Sequence, residues 1–276
     1  MQAASRESLA GLRAGFAESV SAGSSGNVSE IWPVLADELR QAATLLAVEP
    51  GLRRALADPT RQPDDRAALL GSLLGSRVSP VCLAILESVV RRRWSRATDL
   101  LDAIELLAVD AELESAAGSD ALGEVEDELF RFNQIALASP ELSRSLADPT
   151  VEVGQRAELI RVLLQAKAQP VTVRLAIMAL YGLGGRSFPS GLARLVELVA
   201  RRRESQVAYV RTSYPLTPEQ ETKLTEHLSQ VYGQKISLQV RLDPSLIGGA
   251  IVEIGDDRYD GSISRLLEQA RNKLAS

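Results

Sequence analysis

The residue types that carry most protein chemistry are scarce in this chain, which holds one Cys and one His, Cys82 and His227. A structural zinc site takes four ligands and a disulfide takes two thiols, so neither can be assembled from them. Cys82 lies in Pro80-Val81-Cys82-Leu83-Ala84-Ile85-Leu86, where an apolar setting keeps a thiol protonated and inert. His227 sits beside Leu224 and Leu228 and reads as a helix-flank residue. Gly248-Gly249 with Gly255-Asp256-Asp257 has the look of a phosphate cradle, yet no Lys or capped helix follows at the required spacing. A strand bend followed by a hairpin turn explains these glycines better. Arg91-Arg92-Arg93-Trp94 and Arg201-Arg202-Arg203 can meet acidic partners, but each falls at the expected end of a helix, where cations complement the dipole in solvent. None of the patterns GxxxxGK[ST], HExxH, CxxC or GxSxG occurs. The expectation is a non-catalytic chain with no cofactor and no metal.

The work therefore falls to the scaffold. At roughly 150 residues per domain, 276 residues make about two domains. The 45% apolar content supplies real cores, and only 11 aromatic side chains against abundant Leu and Ala favour helix packing. With 31 basic and 36 acidic residues the formal charge is −5, which gives no basic field for nucleic acid. The longest uncharged apolar stretch, Leu175 to Gly185, is too short for the roughly 18 to 20 residues of a membrane span. The start, Met1 to Glu7, lacks the pattern of a secretory signal, so a reducing, cytoplasmic setting is expected.

An internal repeat organises most of the chain. Leu56-Ala57-Asp58-Pro59-Thr60 recurs as Leu146-Ala147-Asp148-Pro149-Thr150, an offset of 90, and 13 of the 30 positions from Gly51 to Pro80 are identical at that offset. Asp37-Glu38-Leu39 likewise meets Asp127-Glu128-Leu129. Leu35, Leu39, Ala42, Ala43 and Leu46 mark one helical face, and Val125, Leu129, Phe132 and Ala136 mark its counterpart. Each Asp-Pro stops a helix, because proline lacks the amide hydrogen and pushes its predecessor out of the α region. Further helices are expected at Arg66 to Leu74, Val81 to Val90, Arg156 to Leu164 and Val171 to Leu180. The stretch Ala97 to Glu114, with Leu100, Ile104, Leu107 and Ala111 on one face, both closes the first unit and opens the second.

Near Glu204 the periodicity changes. Ser205 to Thr212 is β-prone, and Thr217-Pro218-Glu219-Gln220 opens a helix with a capping box. That helix would bury Leu224, Leu228 and Val231 and end at Gly233. Ile236, Leu238, Val240 and Leu242 alternate as in a half-buried strand. Ala250 to Ile254 is a second apolar run, and Ile263, Leu266, Leu267, Ala270 and Leu274 stripe a final helix. The fold class is thus mainly α: two tandem helical-bundle units, 1–112 and 95–204 sharing the helix near 97–114, then a small α+β domain at 205–276.

The tail carries a resemblance. Leu242-Asp243-Pro244-Ser245-Leu246-Ile247-Gly248-Gly249, then Gly255, then Asp260-Gly261-Ser262, closely resembles the C-terminal signature of the delta subunit of F-type ATP synthase, the oligomycin-sensitivity-conferring protein family. Tyr214 to Gln220 is also similar to that family, and the helix, Asp-Pro bend and helix upstream resemble its N-terminal domain. The resemblance implies a non-catalytic stator connector of the peripheral stalk, in ATP synthesis and hydrogen ion transport. Its helical domain would hold N-terminal helices of the alpha subunits and its tail the C-terminal end of the b subunit. It would sit on the cytoplasmic face of the cell membrane, peripheral through the complex alone, binding no nucleic acid and forming no homo-oligomer. In the family the alpha helix docks between the first and fifth bundle helices. The matching segments are Ser8 to Ser19 with Val81 to Val90, or Ala97 to Glu112 with Val171 to Leu180. Candidate docking residues are Leu9, Leu12, Phe16, Leu83, Leu86, Val90, Leu100, Ile104 and Leu107. The chain departs from the family in having two helical units, and it resembles the long actinobacterial delta subunits without a fused b segment. Two alternatives remain at this point: a general helical-repeat adaptor that borrowed the tail, and an enzyme using the turns at Gly248 and Gly255.

Overall fold

Proline punctuates the helices. Pro50, Pro63, Pro80, Pro140, Pro170 and Pro218 each occupy the first turn of one, where the missing N–H removes no hydrogen bond. The computed structural model describes the chain apart from residues 24–27, 205–206, 234–235, 244–245, 247, 255–256 and 262–276. The chain divides into two units, Met1–Val196 and Glu197–Ser276.

The first unit begins with α1 (Ala3–Ala14), α2 (Phe16–Gly23), α3 (Val28–Val48), α4 (Pro50–Ala57), α5 (Pro63–Leu74) and α6 (Pro80–Arg91). It continues with α7 (Ala97–Gly118), α8 (Leu122–Ala138), α9 (Pro140–Ala147), α10 (Val153–Leu164) and α11 (Pro170–Leu180). A 3₁₀ turn, Leu183–Gly185, leads into α12 (Phe188–Glu204), which crosses the residue that divides the units. Adding 90 to the bounds of α4 and α5 gives those of α9 and α10, so the sequence repeat is also a repeat of structure. The segment Ser8 to Ser19, expected as one helix, is two: the chain breaks at Gly15, whose φ of −108° and ψ of 6° leave the helical region.

Helix α7 packs against α1, α3, α4 and α6 of the first repeat and α8 and α11 of the second. Leu100, Ala103, Ile104, Leu107, Val109 and Ala111 are completely buried. At about 1.5–3 kcal/mol for each large aliphatic side chain removed from water, this helix is the main apolar store of both bundles.

Matching polar contacts fix each repeat. Glu38 accepts from Ser79 N at 2.7 Å and from Ser79 Oγ at 2.6 Å, at the start of α6. Glu128 accepts from Gln169 N at 2.8 Å and Thr172 Oγ1 at 2.6 Å, at the start of α11. In both repeats a carboxylate from the long helix thus meets unsatisfied N–H groups and the positive end of a helix dipole. Asp58 accepts from Thr60 N at 2.9 Å and Oγ1 at 2.7 Å, and Asp148 does the same with Thr150. These threonine hydrogen bonds hold both carboxyls below their ordinary range. Arg66 donates to the carbonyls of Arg91 and Arg92 at 3.2 and 3.0 Å, closing the other end of α6.

Helix α1 is tied to α7 through polar groups. Buried Ser5 donates to Asp99 at 2.8 Å and accepts from Ser95 N at 2.9 Å, while Arg13 grips Asp110 at 2.7 and 2.9 Å. Farther along α7, Glu105 accepts from Gly184 N at 2.6 Å, and Gly184 has a φ of +62° that suits glycine. Burial raises the Glu105 carboxyl to about 7; the Gly184 hydrogen bond opposes this, nearby Asp102 adds to it, and Arg186 opposes it.

The second unit is a four-stranded sheet in the order β2-β1-β3-β4. It comprises β1 (Val207–Thr212), α13 (Pro218–Tyr232), β2 (Ser237–Leu242), β3 (Ala250–Ile254) and β4 (Asp257–Asp260). β1 runs parallel to β2, through the crossover helix α13, and antiparallel to β3; β3 and β4 pair antiparallel. Ala208, Val210, Leu228, Ile236, Val252 and Ile254 form the core, with Leu224 and Tyr232 packed against it. Thr217 and Gln220 form the expected capping box, and Gly233 ends α13 at a φ of +64°. Val231, expected on the buried face, is 60% exposed, and Tyr232 takes the place beside the core. Strand β4 was not foreseen, since Asp-Arg-Tyr-Asp has no apolar alternation. The expected final helix lies outside the described residues.

Two outcomes follow for stability. Glu128→Ala should cost about 2 kcal/mol in denaturant unfolding and Glu38→Ala about 1, because Ser79 also caps α6 through Cys82 N whereas Gln169 supplies no side-chain cap to α11. Equal losses would refute this. A carboxyl raised on folding stays protonated in the native state after the unfolded chain has lost its proton. Glu105 should therefore withdraw on the order of 3 kcal/mol of stability as pH rises from its ordinary value to about 7. Melting measured across that window should show a shallower decline for Glu105→Gln than for the wild type; identical slopes would exclude it.

Candidate partner-binding surfaces

A helix that docks on another helix needs an exposed apolar stripe or a groove between two neighbours. Among the residues expected to line such a groove, Leu9, Leu12, Phe16, Leu86, Val90, Leu100, Ile104 and Leu107 are all buried within the chain itself. Leu83 is half-buried. The Phe16 ring lies 5.7 Å from that of Trp32, between α2 and α3. These side chains pack inside the chain and do not form an exposed stripe.

One of the two expected helix pairs encloses space. Between α7 and α11 lies an apolar cavity of about 290 Å³, lined by Glu105, Ala108, Met178, Leu180 and Tyr181. Its remaining wall is α3 of the first repeat, through Ala43, Thr44 and Ala47, with the Arg40 guanidinium 4.9 Å above the Tyr181 ring. The first repeat therefore covers the groove of the second. A larger cavity of about 510 Å³ also has Glu105 in its wall and is lined as well by Arg6, Arg13, Asp102, Arg186 and Arg194.

In the tail, the recognised motif sits at one end of the sheet. Asp243 donates its N–H to the Thr212 carbonyl at 2.8 Å and accepts from Arg211 at 3.2 Å, which anchors the loop leaving β2 to the end of β1. Gly248 is buried, and Gly249 turns the chain into β3 at a φ of +82°. Asp260 pairs opposite Ile251, and Gly261 N donates to the Ala250 carbonyl at 2.9 Å. A β-carbon on Gly261 would stand 3.2 Å from that oxygen. Pro244, Gly255 and Ser262 lie outside the described residues. The motif thus joins three strand ends around Thr212 and Ala250. Tyr232 donates its hydroxyl to Asp257 at 2.9 Å and stacks edge-on with Tyr259 at 6.5 Å, tying α13 to β4.

The residues first weighed for chemistry are in inert places. Cys82 is fully buried, and burial beside Glu38 pushes its thiol well above the usual range. His227 is exposed on α13. Arg91 ends α6 in ion pairs with Asp64 and Glu87, both at 3.1 Å. Among the described residues, no group of three His, Cys, Asp or Glu stands in a metal-holding arrangement, and no helix is long and apolar enough to cross a membrane. Sequence reasoning passed over the capping roles of Glu38 and Glu128, although their matched positions in the repeat marked them.

The family model of the ATP synthase delta (OSCP) subunit matches residues 109–274, from within α7 through the second repeat and the tail. The ATP synthase subunit delta of Salinispora arenicola is 50% identical over 240 residues, covering 87% of this chain and 88% of the relative. That of Parafrankia sp. is 40% identical over 278 residues, 99% of each chain. That of Streptomyces griseus is 38% identical over 275 residues, the whole of both. The first repeat, outside the family match, is thus covered by alignments with full-length relatives. With the family matched over more than half its length and relatives aligned from end to end, this chain belongs to the ATP synthase delta (OSCP) subunit family.

Proposed function

We propose that this peripheral-stalk subunit of the F-type ATP synthase works as a non-catalytic connector. The helical unit Met1–Val196 holds N-terminal helices of the alpha subunits, and the tail holds the C-terminal end of the b subunit. By coupling the catalytic head to the stalk, the connector stops the head from turning with the rotor, so that torque drives ATP synthesis. It works at the cytoplasmic face of the cell membrane and reaches the membrane only through the complex.

The observation that carries this reading is the end-to-end match to ATP synthase delta subunits in a chain built of two separate folded units. Two units give two independent contact surfaces, which a connector requires. The inert settings of Cys82 and His227 agree with a holding role. A general adaptor with a borrowed tail loses its basis, since relatives share repeats and tail alike.

Purification of the complex through a tag on this chain should recover both the alpha and b subunits; recovery of neither would overturn the reading. Gly249→Val places a β-branched residue where φ is +82° and should destabilise the tail by about 1–3 kcal/mol. The same purification should then show reduced b and unchanged alpha. Unchanged melting would refute the destabilisation, and a destabilised tail with wild-type b recovery would contradict the assignment of b to the tail.

A further inference from the structure

The two repeats fasten equivalent connectors in different ways. In the first, residues 92–96 join α6 to α7, and buried Trp94 donates its indole N–H to the Val89 carbonyl at 2.9 Å. Ser5 of α1 accepts from Ser95 N at 2.9 Å, so this connector is held by a hydroxyl whose charge does not change with pH. Adding 90 gives residues 182–186, between α11 and α12, with Gly184 in the place of Trp94. Gly182, Gly184 and Gly185 take φ values of +78°, +62° and +70°, and Leu183 is the one buried side chain of the segment. A wedge in the first repeat is a glycine hinge in the second.

The fastening of the hinge is a carboxyl. Glu105 of α7, the helix that opens the second repeat as α1 opens the first, accepts from Gly184 N at 2.6 Å. Glu105 and Leu183 line both the 290 Å³ and the 510 Å³ cavities, which leaves room for water at the carboxyl once the connector lifts. The charges around it are mixed. Arg186 acts on it from the connector and Asp102 from its own helix. The cavity walls add the Met1 amine, Arg6 and Arg13 from the start of the chain, Arg194 from α12, and Arg40 from α3 beside Tyr181. Arg13 is engaged by Asp110, and Arg40 by Asp37 and the Tyr181 ring. With its carboxyl raised by burial to about 7, Glu105 changes charge in the neutral range. An opened arrangement that hydrates the carboxyl binds its proton less tightly, so opening is favoured as pH rises.

We propose that the 182–186 connector is a pH-set latch, closed on α7 while Glu105 holds its proton and released when that proton passes to solvent. Release loosens the start of α12, where Phe188 packs edge-on against Phe132 of α8 at 6.3 Å. The 92–96 connector, fastened by Ser5 and Trp94, stays closed across the same range.

Hydrogen exchange of the full-length chain, corrected for the intrinsic effect of pH and read by mass spectrometry on peptides spanning each connector, tests this. Opening of 182–186 should rise at least about tenfold from about pH 5 to about pH 7 and then level off, with 92–96 and the middle of α7 unchanged. Glu105→Gln should abolish the rise. Arg186→Gln should move the plateau to higher pH and Asp102→Asn to lower pH, because the two charges act on Glu105 with opposite sign. A flat wild-type profile, an equal rise in both connectors, or a rise that survives Glu105→Gln would overturn the proposal. If Glu105→Gln does not fold, the other two variants decide: plateaus that stay in place or move in the same direction overturn it.

Discussion

The helical unit depends on the burial of one helix from every side. Helix α7 gives up its aqueous surface to the first repeat and to the second at once, and its aliphatic positions belong to both cores. Neither repeat can complete its interior without it. Two bundles that share a helix need no linker, because the buried side chains of α7 join them directly. For a part that must hold its neighbours still under load, a joint of buried side chains is stiffer than one of flexible chain.

Polar groups then set what the apolar contacts leave undetermined. Leucine and alanine stripes can slide or turn against one another at small cost, whereas hydrogen bonds to a helix end have one geometry. The carboxylates of Glu38 and Glu128 hold α3 and α8 to the starts of α6 and α11. Ser5 with Asp99 and Arg13 with Asp110 do the same for α1. In the tail, Arg211, Asp243 and the Gly261 amide gather the strand ends.

Much of this was legible before any coordinates, for definite reasons. The stripe of Leu35, Leu39, Ala42, Ala43 and Leu46 repeats at the helical period and is buried throughout. The Asp-Pro bends and the Thr217 capping box are local devices, written in adjacent residues. What escaped depends on partners far along the chain. Strand β4 exists because β3 offers it hydrogen bonds, and its own residues carry no alternation. Val231 has the spacing of a buried residue but loses its place to Tyr232, whose hydroxyl reaches Asp257 and Tyr259. The candidate docking leucines had the apolar character of an interface, and the same character serves the chain's own interior. Periodicity cannot tell these destinations apart.

The shared helix also constrains how such a chain can change over time. Successive residues of an α-helix are set about 100° apart, so a single residue inserted within α7 would swing everything beyond it by that angle. An insertion between Ile104 and Leu107 would leave Leu100 and Ile104 facing as they do while Leu107 and Ala111 turned out of line with them. The loops between helices can lengthen freely, but α7 is phase-locked: its residue count sets the angle at which one bundle is mounted on the other.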